Sequence, residues 1–281
     1  MRWTAVVVAA ATLAGLATGA AASPRTDPAP PWLAPNTVAF ADATHGALGT
    51  GYPYSGDAGG AIELTSDGGR DWHVALRTTR PVLKLAAEGS LWYAQLDDGE
   101  TLQSSDSGHH WKPTATQVWP SSPSTCPMGL DVGVLATPAD PTWSVCSTSG
   151  GAGNEGKAVF RLRNSGWKRV ACTNFATTHF PCGEASYGGI SGLGYPLGVA
   201  GNSNGFGLIW ESRGTLWATK DGGRHWRGLQ HLVQFDVDIG SWATVLPRGG
   251  VGFAITRASS STRLLETTDA GHTWRVVHRW R

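Results

Sequence analysis

The eight residues Thr219–Trp226, TKDGGRHW, carry a pattern that occurs four times in the chain and decides the fold. The other copies are TSDGGRDW (65–72), SSDSGHHW (104–111) and TTDAGHTW (267–274), and all four fit S/T-x-D-x-G-x-x-W. We call this pattern the box. A motif that recurs along one chain indicates an internal structural repeat. The shared positions are Thr65, Asp67, Gly69 and Trp72; Ser104, Asp106, Gly108 and Trp111; Thr219, Asp221, Gly223 and Trp226; and Thr267, Asp269, Gly271 and Trp274.

Each box lies between two short β-prone segments. GAIELT, GETLQS, GTLWAT and TRLLET precede the boxes, and WHVAL, WKPTA, WRGLQ and WRVVH follow them. The box residues suit a hairpin turn, since Asp and Ser/Thr side chains accept hydrogen bonds from turn N–H groups and Gly adopts positive φ. We therefore predict that the box is a structural turn and that its tryptophan starts the outgoing strand.

A fifth unit has a reduced box, NSGW, in which Trp167 keeps the aromatic position. The five box tryptophans recur about every 40 to 60 residues, and a repeat of this length with about four strands is typical of a propeller blade. The sequence predicts an all-β protein, a β-propeller of four-stranded blades joined by box hairpins. Five blades are legible, and six or seven stay open because two middle units are long.

The four boxes resemble the Asp-box, or BNR repeat, of sialidase-like propellers and of photosystem II assembly factors. In those families the box is a structural hairpin away from the ligand-binding face. The resemblance therefore implies a fold and leaves the function open.

The N-terminus has the pattern of a secretory signal peptide, with Arg2, an apolar run and small residues before Ser23. We expect a signal peptide at 1–22 cleaved between Ala22 and Ser23, a proline-rich leader at 23–35 and the Asp-box propeller at 36–281. The mature chain is then predicted to be secreted, monomeric and without a membrane span. With 22 basic and 21 acidic residues, the chain does not look like a nucleic-acid-binding protein.

The four cysteines, Cys126, Cys146, Cys172 and Cys182, lie in one window of an exported chain and predict disulfides. Three pairings are open, and we favour Cys126–Cys146 with Cys172–Cys182 because sequence-near pairs demand least from the fold. No C-x-x-C spacing occurs, so we expect no metal. The sequence also lacks a phosphate-binding loop, and we expect no cofactor.

No catalytic set is assignable from the sequence. The resemblance to sialidases would require an F/Y-R-x-P motif, and Phe160–Arg163, FRLR, lacks its proline. Glu184 and Tyr187, in the cysteine-bounded insertion, are the weak candidates for catalysis.

We therefore expect a binding or assembly module more than an enzyme. Its ligand surface would lie on the blade-connecting loops and the disulfide-stapled 118–190 region, because long loops on a rigid scaffold commonly carry recognition. The partner would be a protein or a glycan at the cell exterior. The alternative is a sialidase-like glycoside hydrolase whose acids are unidentified.

Overall fold

The computed structural model describes residues 35–51, 59–116, 118, 143–147, 155–163, 166–173, 182, 186–212, 216–228, 242–246, 248–258 and 261–280. These ranges contain 19 β-strands in five antiparallel sheets, and no helix occurs within them. The sheets are the blades of a five-bladed β-propeller. The predicted all-β propeller is confirmed, with the five legible blades and not six or seven.

The blades follow the chain order, and each is built from consecutive strands. Blade 1 contains β1 (Pro35–Phe40), β2 (Gly46–Thr50), β3 (Gly60–Thr65) and β4 (His73–Thr78). Blade 2 contains β5 (Val82–Glu88), β6 (Leu91–Leu96), β7 (Thr101–Ser104) and β8 (Lys112–Pro113). Blade 3 contains β9 (Trp143–Ser147), β10 (Lys157–Arg163) and β11 (Gly166–Thr173). Blade 4 contains β12 (Pro196–Gly201), β13 (Gly207–Glu211), β14 (Leu216–Thr219) and β15 (Arg227–Gly228). Blade 5 contains β16 (Trp242–Val245), β17 (Gly252–Ala258), β18 (Ser261–Thr267) and β19 (Arg275–Trp280).

Blade 3 has three strands within the described residues. The reduced box NSGW spans the turn from β10 to β11, so these two strands correspond to the third and fourth strands of the other blades. The chain before β9, from 119 to 142, lies outside the described residues.

Burial falls from the middle of each blade to its outer edge. The second strands β2 and β13 are buried at every position, whereas the outer strands β4 and β19 are exposed or half-buried throughout. The neighbouring blades cover both faces of a blade's inner strands, so the sequences of these strands are nearly all apolar or small. GLIWE in β13 is an example.

Side-chain packing closes the ring between blade 5 and blade 1. The rings of Phe40 in β1 and Phe253 in β17 stack with centroids 3.6 Å apart. Across the same seam, the His278 ring nitrogen Nδ1 lies 2.7 Å from the carbonyl oxygen of Arg70. Within the described residues, no sheet mixes strands from the two ends of the chain, so these contacts hold the first and last blades together.

Candidate functional site

Antiparallel blades have two ends, and the box turns all lie at one of them. In the four box-bearing blades, the turn between the third and fourth strands is the box, and the turn between the first and second strands lies at the same end. We call this end the box face. The other end, the loop face, carries the turns between second and third strands and the connections from blade to blade.

The box of blade 4 shows the hydrogen bonds that its residue types make. The Thr219 hydroxyl donates to Asp221 Oδ1 (2.9 Å) and accepts from the Gly223 N–H (3.1 Å). Asp221 Oδ1 accepts from the His225 N–H at 3.1 Å, and the Trp226 indole donates to the Gly223 carbonyl at 3.1 Å. The hydroxyl and carboxylate bonds recur in the boxes ending at Trp72, Trp111 and Trp274.

The last box differs in its tryptophan. The indole N–H donates to the box glycine carbonyl in the boxes ending at Trp72 and Trp111, at 3.0 and 2.7 Å. Trp274 Nε1 is buried and has no hydrogen-bond partner. Its ring packs against an apolar cluster shared by blades 4 and 5, so packing holds it in place.

The box carboxylates are held ionised by these donors. The side-chain and backbone hydrogen bonds from His110, followed by that from Ser104, hold the pKa of Asp106 well below its usual range. For Asp269, the hydrogen bonds of Thr273 lower the pKa in the same way. Because their oxygens already accept bonds from the turn, these carboxylates are structural acceptors.

The box glycine presses against the preceding blade. A Cβ on Gly223 would lie 2.6 Å from the Val170 side chain of blade 3, and one on Gly108 would lie 2.8 Å from Leu64 of blade 1. A Cβ on Gly69 would lie 2.4 Å from Leu264 of blade 5. The box is thus both a turn and a contact between neighbouring blades, which explains why a glycine stands at this position.

The loop face of blade 3 carries the cysteines. Cys172, near the end of β11, forms a disulfide with Cys182, as predicted. Cys146 in β9 is also disulfide-bonded, and Cys126 lies outside the described residues. The segment after Cys182 returns along β11, where Tyr187 and Cys172 exchange two backbone hydrogen bonds of 2.8 and 3.0 Å.

This returning segment, 186–195, fills the seam between blades 3 and 4. Ile190 is buried among core residues of both blades, and the Gly188 carbonyl accepts the Trp226 N–H at 2.8 Å. Tyr187, Leu193 and Tyr195 nevertheless stay exposed, at 39%, 49% and 38%. The only other large hydrophobic side chain exposed among the described residues is Val276, on blade 5.

A buried ion pair lies directly beneath this segment. Lys157 Nζ, at the start of β10, is 2.5 Å from Glu211 Oε1, at the end of β13, and both side chains are 1% exposed. Glu211 Oε2 accepts the Trp217 indole N–H at 2.8 Å. Lys157 Nζ also donates to the carbonyls of Ser191 (2.9 Å) and Leu193 (2.6 Å). One ammonium group thus joins blade 3, blade 4 and the segment between them.

A second carboxylate lies beside the pair. Glu155 is buried, and burial raises the pKa of its carboxyl while Ser147 and Lys157 lower it. Its N–H donates to the Gly192 carbonyl at 2.9 Å, and its Oε2 is buried without a hydrogen-bond partner. Glu155 therefore adds a negative charge near Lys157 and a further hold on segment 186–195.

Of the two candidate catalytic residues, Tyr187 lies among the described residues. Glu184 lies outside the described residues. Tyr187 is at the outer edge of blade 3, where its hydroxyl accepts the Arg169 Nε–H at 2.6 Å and its ring lies under the same guanidinium. Arg161, of the incomplete FRLR motif, lies 5.2 Å over the Trp143 ring and donates to the Ser203 carbonyl, so it links blades 3 and 4 at the box face.

The described ranges offer no metal centre, because they hold no group of three or more His, Cys, Asp or Glu side chains able to bind an ion. Nor do those ranges contain a helix with the length and hydropathy needed to cross a membrane.

The ion pair was missed by sequence reasoning. Lys157 and Glu211 are 54 residues apart and lie in different blades, and each looks like an ordinary polar end of an apolar strand. A usable signal was that KAVFRLR begins with a lysine directly before three apolar residues. That signal does not name the partner.

No known protein family and no curated protein matches this chain. Solved structures similar to it include YCF48 bound to a D1 peptide, with 16% identity over 87% of this chain and 81% of that chain and a TM-score of 0.34. YCF48 from Cyanidioschyzon merolae is 14% identical over 89% and 86%, with a TM-score of 0.31. A nidogen/laminin complex is 9% identical over 89% and 80%, with a TM-score of 0.40.

Proposed function

We propose that this chain is an exported Asp-box β-propeller that acts as a binding or assembly module. Its recognition surface is the loop face of blades 3 and 4, within and beside the disulfide-stapled 118–190 region, and its partner is a protein or a glycan outside the cell. One observation carries the proposal. Of the four large hydrophobic side chains exposed in the described part of the chain, Tyr187, Leu193 and Tyr195 lie within nine residues of one another.

Exposed apolar side chains that cluster on one segment are typical of a binding surface, whereas singly scattered ones are ordinary. Tyrosine is also enriched among the residues that dominate binding energy at interfaces. We name Tyr187, Leu193 and Tyr195 the apolar loop surface.

The backbone beneath this surface is already fixed, which favours recognition. The Leu193 N–H donates to Ser191 Oγ at 2.9 Å, and the Tyr195 N–H donates to Ser212 Oγ at 2.9 Å. The Ser212 N–H returns a bond to the Tyr195 carbonyl at 2.8 Å. A loop held in its bound shape loses little conformational entropy when a ligand arrives.

Among the carboxyl groups of the described residues, Glu211 does not favour the hydrolase alternative. A glycosidase needs two accessible carboxyl groups on opposite sides of a sugar. Burial raises the pKa of Glu211 to about 6, against the lowering effects of Lys157 and Trp217, and such a value would suit an acid catalyst. However, both oxygens of this enclosed carboxylate already accept hydrogen bonds, so they do not face a substrate.

The test uses the mature chain, 23–281, as bait for a random-peptide display library and for a glycan array. Each selected ligand is then titrated against Leu193→Ser and Tyr195→Ser, with Val276→Ser as the matched control on blade 5. We expect at least about tenfold weaker binding for the loop variants, because a central apolar contact contributes over 1 kcal/mol. The control should bind like the wild type.

Equal affinity of all variants for every selected ligand would contradict the proposed surface. Turnover of a glycoside by the wild type, lost when loop-face carboxylates are replaced, would favour the hydrolase instead. Export is tested separately by expressing the full chain in a secreting host and sequencing the N-terminus of the secreted protein, which should begin at Ser23.

A further inference from the structure

A buried cation contacts the segment that carries Leu193 and Tyr195. Lys157 Nζ donates to the carbonyls of Ser191 and Leu193, on either side of Gly192. The ammonium group comes from blade 3, whereas the chain beyond Tyr195 continues into blade 4 as β12. Lys157 therefore ties residues 191–193 to blade 3, next to the Glu155 N–H that donates to the Gly192 carbonyl.

Glu211 supplies the charge that keeps this cation buried. An ammonium group without a counter-ion in an apolar interior is strongly unfavourable. Two carboxylates face Lys157, Glu211 from β13 and Glu155 from the chain entering β10. Glu211 is the one that contacts it, at 2.5 Å, and the Trp217 indole from β14 faces the other carboxylate oxygen.

We propose that the Lys157–Glu211 pair is a latch that positions the apolar loop surface, and that neutralising Glu211 releases the 191–195 segment and weakens ligand binding there. The inference rests on the proposed function, because it assigns the latch to that binding surface. Lys157 and Glu211 are positioning residues, since neither is exposed enough to touch a ligand.

Acid is the natural way to neutralise Glu211. Burial, opposed by Lys157 and Trp217, raises the pKa of this carboxyl to about 6, so about nine-tenths of it is protonated at pH 5. Lys157, whose pKa is lowered by burial from a high starting value, then remains as a cation beside a neutral acid. When the ammonium leaves the two carbonyls for solvent, Glu211 stays enclosed without its counter-ion. Its pKa is then higher in the released than in the latched state, so low pH favours release.

Release of the loop is distinct from unfolding. A carboxyl whose pKa is higher in the folded than in the unfolded chain makes the folded state more stable as the pH falls through that interval. As the pH falls from 6 to 4.5, protonation of Glu211 therefore increases the free energy of unfolding of the propeller, although the same protonation removes the negative charge from the latch. Weaker binding at pH 5 should accompany an equal or higher melting temperature.

The experiment measures amide hydrogen exchange of Leu193, Tyr195 and Ser212 at pH 7.5 and pH 5.0, corrected for intrinsic rates. These amides are bonded at the loop, so they exchange when it opens. We expect about tenfold faster corrected exchange at pH 5.0 in the wild type, which corresponds to a Glu211 pKa about one unit higher in the released than in the latched state. Glu211→Gln should exchange fast at both pH values, as should Lys157→Met.

Glu266→Gln is the matched control, because Glu266 is also a buried carboxylate in an ion pair, with Arg275 at 2.6 Å on blade 5. It should leave the exchange at 191–195 unchanged. Slow exchange at both pH values in the wild type and in Glu211→Gln would overturn the latch. If Glu211→Gln does not fold, the wild-type pH comparison and Lys157→Met decide the question.

The two proposals fail differently. If selected ligands depend on Leu193 and Tyr195 but bind equally at pH 7.5 and pH 5.0, the latch is wrong and the binding surface stands. If exchange at 191–195 responds to Glu211 but no ligand depends on Leu193 or Tyr195, the release of the segment is real and the proposed function fails.

Discussion

Replacing Ser107 by glycine should stabilise this protein. Ser107 follows Asp106 in the second box and has φ of 61°, in the left-handed region. The equivalent residues are Gly68, Gly222 and Ala270, with φ of 79°, 77° and 56°. Each donates its N–H to a carbonyl in the turn between the first two strands of its own blade, at 2.9 to 3.0 Å. The turn thus imposes this backbone conformation whatever the residue.

The magnitude follows from two opposing effects. A left-handed conformation costs an L-residue about 1–2 kcal/mol, and glycine escapes that cost. Glycine also lowers the stability of the folded state by about 0.5–1 kcal/mol, because its backbone has more conformational entropy in the unfolded chain. Ser107→Gly should therefore increase the free energy of unfolding by about 0.5–1 kcal/mol and raise the melting temperature by about 1–4 °C for a chain of this size.

Calorimetry of the oxidised protein measures the change, and the same box provides a control. Ser105 is exposed, and its φ is not positive. Ser105→Gly should therefore lower the melting temperature slightly. A lower melting temperature for Ser107→Gly, or equal shifts for both variants, would refute the assignment of strain to this box position.

Three further changes affect the box of blade 4, the buried ion pair and the titrating carboxyl groups. Asp221→Ala removes the acceptor of the Thr219 hydroxyl and the His225 N–H, so it should lower the free energy of unfolding by about 1 kcal/mol in guanidinium titrations. Ligand affinity should stay unchanged. A selective loss of affinity would show that the box touches the ligand. Lys157→Met should lower the free energy of unfolding by about 3–5 kcal/mol because it leaves the buried Glu211 carboxylate without a counter-ion, and adding Glu211→Leu should recover most of that loss. Additive losses in the double-mutant cycle would mean that the pair is not coupled. The melting temperature should rise as the pH falls from 6 to 4.5, because the pKa of Glu211 is raised in the folded state. It should fall below about pH 4, because the pKa values of Asp106 and Asp269 are lowered in the folded state and their protonation then favours unfolding. A melting temperature that declines steadily from pH 7 would contradict these two directions.

The sequence predicted what is local and repeated. The box hairpins are set by residues within eight positions of one another, so Thr219–Trp226 and its copies reveal both the turn and the blade period. The Cys172–Cys182 disulfide was also predicted, since its residues are ten apart.

What depends on contacts between blades could not be predicted. The partnership of Lys157 with Glu211 is fixed by how blades 3 and 4 face each other, and no pattern along either strand encodes it. Nor does any pattern near the cysteines predict that Ile190 is buried between two blades, which became visible only in the structure. Arg161 shows the converse, because a fragment of a catalytic motif is an inter-blade contact here.

A hydrogen-exchange footprint of the wild-type chain, with and without a display-selected ligand, tests whether the loop face of blades 3 and 4 is the recognition surface. We predict new protection at 186–195 on the loop face, and none at the box turns 65–72, 104–111, 219–226 and 267–274. Protection confined to the box turns, or to blades 1 and 2, would contradict it.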